Sequence, residues 1–149
     1  MSSLVDYLDK GASLGREAPC LVEGEHTLSY GEVQDLSWSV AGALAASGVA
    51  PGGKVGILSS NDPIAFACVF GIARRGAVWC PINPRNEADE NRALLELFDC
   101  ECLLFHSNYA DMVARIAEQL PGLSTAVCLD QARCLAAERR SLVQVVDER

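Results

Sequence analysis

The sequence predicts an α/β protein with a Rossmann-like layered fold, in which a mostly parallel sheet is flanked by helices and preceded by an N-terminal helix and a β-hairpin. Four short apolar runs begin at residues 55, 78, 102 and 126, which is 23, 24 and 24 residues apart. Segments of helical character fill the intervals. Strand, helix and strand at this period indicate parallel βαβ units with right-handed crossovers.

Capping signals and apolar periodicity mark the helices. Ser29 and Glu32 form a capping box, and Gly48 ends the helix that this box opens. Asp62 and Pro63 open the next helix, which is apolar along nearly its whole length and is therefore expected to be buried on most sides. In chain order, the predicted elements are a helix at 4–14, hairpin strands at 20–22 and 26–29, a helix from Ser29 to Gly48, and then strands at 55–58, 78–82, 102–105 and 126–129 alternating with helices at 64–75, 88–98 and 108–120.

The chain is expected to form one domain over residues 1–149. Half of its residues are apolar and 21% are charged, which is a globular composition, and the length allows a sizeable core. The segment 131–149 is a tail of uncertain structure. Residues 131–140 are compatible with a polar helix, and 141–146 with a strand that has no visible partner.

Charge and cysteine content exclude several classes of function. Twelve basic and 20 acidic residues give a net charge of −8, which offers no electrostatic basis for binding nucleic acid or an anionic membrane. The apolar stretch at 63–73 is too short to span a bilayer, and residues 1–10 do not resemble a signal peptide. Seven scattered cysteines, an odd number, indicate a reduced protein. We therefore expect a cytoplasmic location without integral membrane contact.

Two motifs suggest a cofactor or metal site, but a purely structural role explains each of them better. Residues 48–55 nearly spell a phosphate-binding loop, but Val55 stands where magnesium binding needs Ser or Thr, and the segment follows a helix and opens a strand. A helix end and a turn are favoured. Cys100, Cys102 and His106 suggest a zinc site, since strand alternation would place both thiols on one face. A fourth ligand and the paired Cys-x-x-Cys spacing are absent, so buried thiols are favoured.

Polar residues follow each predicted strand. In an open parallel sheet, ligands collect beyond the carboxyl ends of the strands. Ser60, Asn61, Asn83 and Arg85 are therefore candidates for a substrate-side rim, and the same edge is predicted to carry Ser59, Pro84, His106, Ser107, Asn108 and Asp130. No catalytic nucleophile, metal-ligand set or cofactor-binding fingerprint is found, so we assign no catalytic, metal or cofactor-binding residue.

Three segments carry a resemblance to a known family. They are LSYGEV at 28–33, GVAPGGKVGIL at 48–58 and RGAVWCPIN at 75–83. In this order and spacing they resemble the N-terminal end of the adenylate-forming, or AMP-binding, enzymes, most of all the acyl-CoA synthetases of the fatty-acid–CoA ligase type. The resemblance covers roughly residues 4–130.

The resemblance implies an activity that needs more than these residues. The family joins a carboxylate to ATP with release of pyrophosphate and then transfers the acyl group to a thiol, so ATP, Mg²⁺ and CoA are implied for a full-length enzyme. The family's glycine-rich phosphate loop and its C-terminal catalytic lysine have no counterpart here. The expectation is a first subdomain that is inactive alone.

Two alternatives stay open at this point. One is a fragment of a peptide-synthetase-type adenylation domain, and the other is a stand-alone Rossmann-like module for interaction or dimerisation. The apolar helix at 64–75 is the segment expected to present an exposed apolar face. Such a face predicts a homodimer at high concentration or docking of the remainder of the enzyme.

Overall fold

The structure, a computed structural model, describes residues 3–129, and its element order is the predicted one. Asp130 and the tail assignments at 131–149 lie outside the described residues. The elements are α1 (Leu4–Leu14), β1 (Pro19–Glu23), β2 (His26–Ser29), α2 (Tyr30–Ala46), β3 (Lys54–Leu58), α3 (Pro63–Arg75), β4 (Val78–Ile82), α4 (Ala88–Leu97), β5 (Cys102–Phe105), a 3₁₀ turn (Ser107–Tyr109), α5 (Ala110–Gln119) and β6 (Thr125–Cys128).

Strands β3 to β6 form a four-stranded parallel sheet in the order β4-β3-β5-β6, and β1 pairs with β2 as a separate antiparallel hairpin. In register, Gly56 pairs with Cys80 on one side and with Leu103 on the other. From β3 the chain adds β4 on one side of the sheet, and it then returns to add β5 and β6 on the other side of β3. The order in which strands are added therefore reverses between the neighbouring strands β3 and β5. Open α/β sheets place a ligand crevice at the carboxyl ends of such a strand pair. The predicted fold class is confirmed.

Helices cover both faces of the sheet. On one face, α4 and α5 pack over Leu58 and Phe105. On the other face, α2 and α3 pack over Val55, Ile57 and Leu104. All four residues of β5 are buried, because this central strand has helices above and below it.

The predicted burial of the apolar helix is confirmed. Inner residues of α3 such as Cys68 and Ile72 pack against the sheet and α2. Ala67 and Phe70 pack on its other side against Leu8 of α1 and against α2. The helix therefore does not present a whole uncovered face; its large exposed apolar side chain is Phe66.

The predicted caps and turn are also present. The Ser29 hydroxyl accepts a hydrogen bond from the Glu32 amide at 3.1 Å, and the Glu32 carboxylate accepts one from the Ser29 amide at 3.3 Å. Gly48 and Gly52 have φ angles of 90° and 86°, in the left-handed region that favours glycine. The segment resembling a phosphate-binding loop is thus the turn between α2 and β3.

A cluster around Arg74 joins the first helix to the third. The Arg74 guanidinium binds both carboxylate oxygens of Asp9, at 2.7 and 3.1 Å, and donates to the Ser37 hydroxyl at 3.0 Å. Its carbon Cζ lies 4.1 Å from the ring centroid of Trp38. The Arg74 side chain is only 7% exposed, so Asp9 supplies a counter-charge that water cannot readily replace.

We expect Asp9→Asn to lower the free energy of unfolding by about 1–2 kcal/mol at pH 7, because a nearly buried guanidinium loses its charged partner. The hydrogen bond from Arg74 holds the pKa of Asp9 below its ordinary value, which outweighs the opposing effect of burial. A depressed pKa in the folded state contributes stability above the unfolded pKa, about 3.9, and that stability is lost as pH falls through the folded pKa. The gap between wild type and variant should therefore close below about pH 4.

Urea unfolding between pH 3 and pH 7 measures this gap. Asp35→Asn is the matched control, since the Arg16–Asp35 pair is largely exposed and such pairs contribute little. An Asp9→Asn gap that stays constant down to pH 3 would show that charge pairing is not its cause.

Candidate ligand cleft at the carboxyl edge of the sheet

An open cleft of about 490 Å³ lies beside β4, beyond the carboxyl end of β3. We call it the hairpin cleft. Its walls are Phe66 and Val69 from α3, Trp79 and Pro81 from β4, and Val22 from the β1–β2 hairpin. A volume in this range matches sites for small organic ligands.

The position of β4 at the sheet edge explains why Trp79 is there. Side chains alternate along the strand, so Cys80 and Ile82 point into the core beneath α4 and α5. Trp79 and Pro81 point to the opposite face, where they line the cleft. Trp79 is 42% exposed there, and Phe66 of α3, which also lines the cleft, is 52% exposed.

The loop after β3 supplies the polar part of the cleft. Ser60 and Asn61, two of the four rim candidates, line it together with Ser59 and Asp62. The Ser59 hydroxyl donates to the Ser60 carbonyl at 2.9 Å. Asp62 caps α3, with its Oδ1 accepting from the Ile64 amide at 2.8 Å. This cap holds the loop at the mouth of the cleft.

The other two rim candidates lie on the loop after β4 and do not line the cleft. Asn83 and Arg85 are held in that loop by a bond from the Arg85 amide to Asn83 Oδ1 at 2.9 Å. The structure therefore divides the predicted rim into two groups, one at the cleft and one on the neighbouring loop.

A buried amide that sequence reasoning missed holds this second loop. Asn91, with 0% exposure, donates from Nδ2 to the Asn83 carbonyl at 3.0 Å and accepts at Oδ1 from the Asn86 amide at 3.2 Å. Its spacing from Leu94 and Leu95 puts it on the apolar side of α4. A polar residue within an apolar stripe of a helix was the signal in the sequence that could have identified Asn91 as a buried hydrogen-bonding residue.

The expectation that Cys100 and Cys102 lie on one face of a strand is wrong, although both thiols are buried, as the sequence favoured. Strand β5 begins at Cys102, so Cys100 still lies in the turn after α4, where its amide donates to the Leu95 carbonyl at 2.9 Å. Cys100 packs on the α4–α5 side and Cys102 on the α2–α3 side, because alternation does not extend back past the first residue of a strand. Over residues 3–129, no three His, Cys, Asp or Glu side chains meet at a metal-binding distance.

Two of the buried thiols, those of Cys68 and Cys102, are poor nucleophiles. Burial, with a smaller effect from the Asp62 charge, raises the pKa of Cys68 to about 12. Burial, with a smaller effect from Glu101, raises the pKa of Cys102 to about 12. Since the thiolate is the reactive form, these side chains act as apolar core residues.

The family was decided by comparison with known proteins. The model of the family described as AMP-binding enzyme matches residues 8–147. This chain belongs to that family. The predicted resemblance to adenylate-forming enzymes of the acyl-CoA synthetase type is confirmed.

Two relatives of this chain are much longer than the chain itself. It is 27% identical over 149 residues, 99% of the chain and 28% of the relative, to the 4-hydroxybenzoate–CoA/benzoate–CoA ligase of Rhodopseudomonas palustris. It is 32% identical over 109 residues, 68% of the chain and 5% of the relative, to the AMB antimetabolite synthetase AmbE of Pseudomonas aeruginosa. The chain thus spans less than a third of either relative.

A solved structure shows the same architecture. The N-terminal domain of FACL13 from Mycobacterium tuberculosis superposes with a TM-score of 0.83 at 26% identity, over 94% of this chain and 38% of that one.

Within residues 3–129, no helix is long and apolar enough to cross a bilayer.

Proposed function

We propose that this chain is the first subdomain of an ATP-dependent carboxylate–CoA ligase and forms no acyl-adenylate by itself. The observation that carries the proposal is the similarity to the benzoate–CoA ligase, which takes in 99% of the chain, together with the family match over residues 8–147. The similarity to AmbE takes in 68% of the chain and gives no reason to prefer the peptide-synthetase alternative.

Adenylation requires a site that holds two anionic reactants together and neutralises charge as it develops. The hairpin cleft does not fit a nucleoside triphosphate, since its charged lining residues are the carboxylates Glu23 and Asp62. We therefore derive no step of the reaction on these residues. The proposed contribution of the chain is a rigid sheet that carries the loops after β3 and β4, with Ser60, Asn61, Asn83 and Arg85, toward the rest of the enzyme.

Two preparations test the proposal: the 149-residue chain and the protein translated from the complete reading frame that contains it. Each is incubated with ATP, Mg²⁺ and CoA and with a panel of benzoates, medium-chain fatty acids and amino acids. Pyrophosphate and acyl-CoA are measured. We expect no pyrophosphate above blank from the chain alone, and equal amounts of pyrophosphate and acyl-CoA from the complete protein.

Three outcomes would contradict the proposal. Turnover by the 149 residues alone would show that the adenylation site is within them. Pyrophosphate exchange with amino acids and none with fatty or aryl acids would favour a peptide synthetase. A reading frame that closes at codon 149 and gives an inactive product would favour the interaction module.

The cytoplasmic location stays a prediction from the sequence.

A further inference from the structure

The hairpin cleft combines aromatic walls with negative charge. Phe66 of α3 and Trp79 of β4 both line it and are both about half exposed. Glu23 from β1 and Asp62 at the start of α3 are its charged lining residues, and within the described chain no Lys, Arg or His lines it. The lining therefore has one sign of charge.

Neither carboxylate is neutralised by a neighbour. Asp62 uses Oδ1 to cap α3, and no ion pair is formed by Asp62 or Glu23 within residues 3–129. An ammonium group is attracted both by carboxylates and by the faces of aromatic rings, whose quadrupoles are negative there. A carboxylate ligand would find the same apolar walls but would be repelled by both acids.

The same charges oppose the occupation of this cleft by a second copy. A symmetric contact would place the Glu23 and Asp62 carboxylates of one copy near those of the other, in a chain of net charge −8. Pairing of two copies through the free edge of strand β4 is also disfavoured. The Val78 amide donates to the Gly53 carbonyl, toward the inside of the sheet, and successive residues of a strand direct their backbone groups to opposite edges. Pro81 therefore faces the free edge, where it has no N–H to donate.

We propose that the hairpin cleft binds a small organic cation, an aryl- or alkylammonium. Its apolar body lies between Phe66 and Trp79, and its ammonium lies at Asp62 and Glu23. Ser60 and Asn61 offer uncharged oxygens to the remaining ammonium protons. The site is separate from the carboxylate site of the proposed ligase, since an acid substrate is an anion at neutral pH. The two proposals can fail independently.

A pair of probes with matched skeletons tests the charge preference directly. The 149-residue chain is titrated at pH 7 with 2-phenylethylammonium and, separately, with 3-phenylpropanoate. Binding is followed by the NMR shifts of the Trp79 indole N–H and of the Ser60 and Asn61 amides. We expect saturable binding of the ammonium, with a dissociation constant about tenfold or more below that of the carboxylate.

Variants locate the effect. Glu23→Gln with Asp62→Asn removes both charges, and asparagine keeps the helix cap that Asp62 provides. We expect this variant to bind the ammonium about tenfold more weakly and to lose the preference between the probes. Glu17→Gln with Glu25→Gln removes two charges at exposed positions outside the cleft and should bind as the wild type does.

Equal affinity for the two probes would overturn the proposal, as would unchanged affinity in the Glu23→Gln, Asp62→Asn variant. The absence of saturable shifts at Trp79, Ser60 and Asn61 would also overturn it. Shifts at these residues that depend on protein concentration without any probe would show that a second copy occupies the cleft, which contradicts it equally. Thermal melts followed by circular dichroism establish that each variant is folded before it is titrated.

Discussion

Replacing Gly71 by alanine is expected to lower the free energy of unfolding by about 3 kcal/mol. A Cβ at this position would overlap the Val40 Cβ and lie 2.5 Å from its Cγ1, as well as 3.2 Å from the Ser37 carbonyl oxygen. These atoms belong to the backbone of α2 or lie next to it. Helices α2 and α3 would therefore have to move apart.

Two other glycine substitutions separate this close approach from helix propensity. Gly42 is exposed in α2 with nothing within 4 Å, so Gly42→Ala should raise the unfolding free energy by up to about 1 kcal/mol. At Gly11 a Cβ would meet the ring of Tyr30, which is partly exposed and can rotate away, so Gly11→Ala should cost less than Gly71→Ala. Urea unfolding of the three variants measures the order. Equal stabilities of Gly71→Ala and Gly42→Ala would disprove the close approach.

Asn91→Leu is expected to cost about 2–3 kcal/mol, although leucine has a similar volume. The substitution leaves the Asn83 carbonyl and the Asn86 side-chain amide without the partner that Asn91 provides. Both hydrogen bonds are partly buried, and the loss of each such bond costs about 1 kcal/mol or more. The loop after β4, which carries Arg85, should become less ordered as a result.

Urea unfolding measures the stability change, and amide hydrogen exchange of residues 83–87 measures the ordering of the loop. Asn86→Ala is the control, since Asn86 is only partly buried and its loss removes one bond from the network. We expect a cost of about 1 kcal/mol for it. Hydrogen exchange in the loop that is unchanged by Asn91→Leu would show that Asn91 does not hold it.

Local signals explain why most element boundaries were predictable. The capping box at Ser29 and the cap at Asp62 act within a few residues of themselves, and both are present as expected. Strand β4 was predicted with its observed bounds because its apolar run is enclosed by Gly76 and Asn83. The error at Cys100 arose at a boundary, since one residue of strand more or less changes which face a side chain occupies.

The candidate site was predictable only in part. The carboxyl ends of the strands were identified correctly as one edge, but the sequence could not divide Ser60 and Asn61 from Asn83 and Arg85. That division depends on β3 lying inside the sheet and β4 at its edge. Nor could the sequence predict that Asp9 pairs with Arg74, since the two residues are 65 positions apart. No local pattern indicated that the buried Asn91 bonds to the Asn83 carbonyl.

By itself, the sequence determined the order of strands and helices and the parallel βαβ arrangement, because periodicity, caps and turns are properties of short segments. The resemblance to the family was carried by three motifs, at 28–33, 48–58 and 75–83. Only the tertiary structure decided that Gly71 is a point of close helix contact and that Phe66, Trp79, Glu23 and Asp62 line one cleft. The physical reason is that burial and charge proximity depend on which faces meet after the strands have taken their places in the sheet. Segments distant along the chain then become neighbours, and their shared surface has chemistry that none of them carries alone.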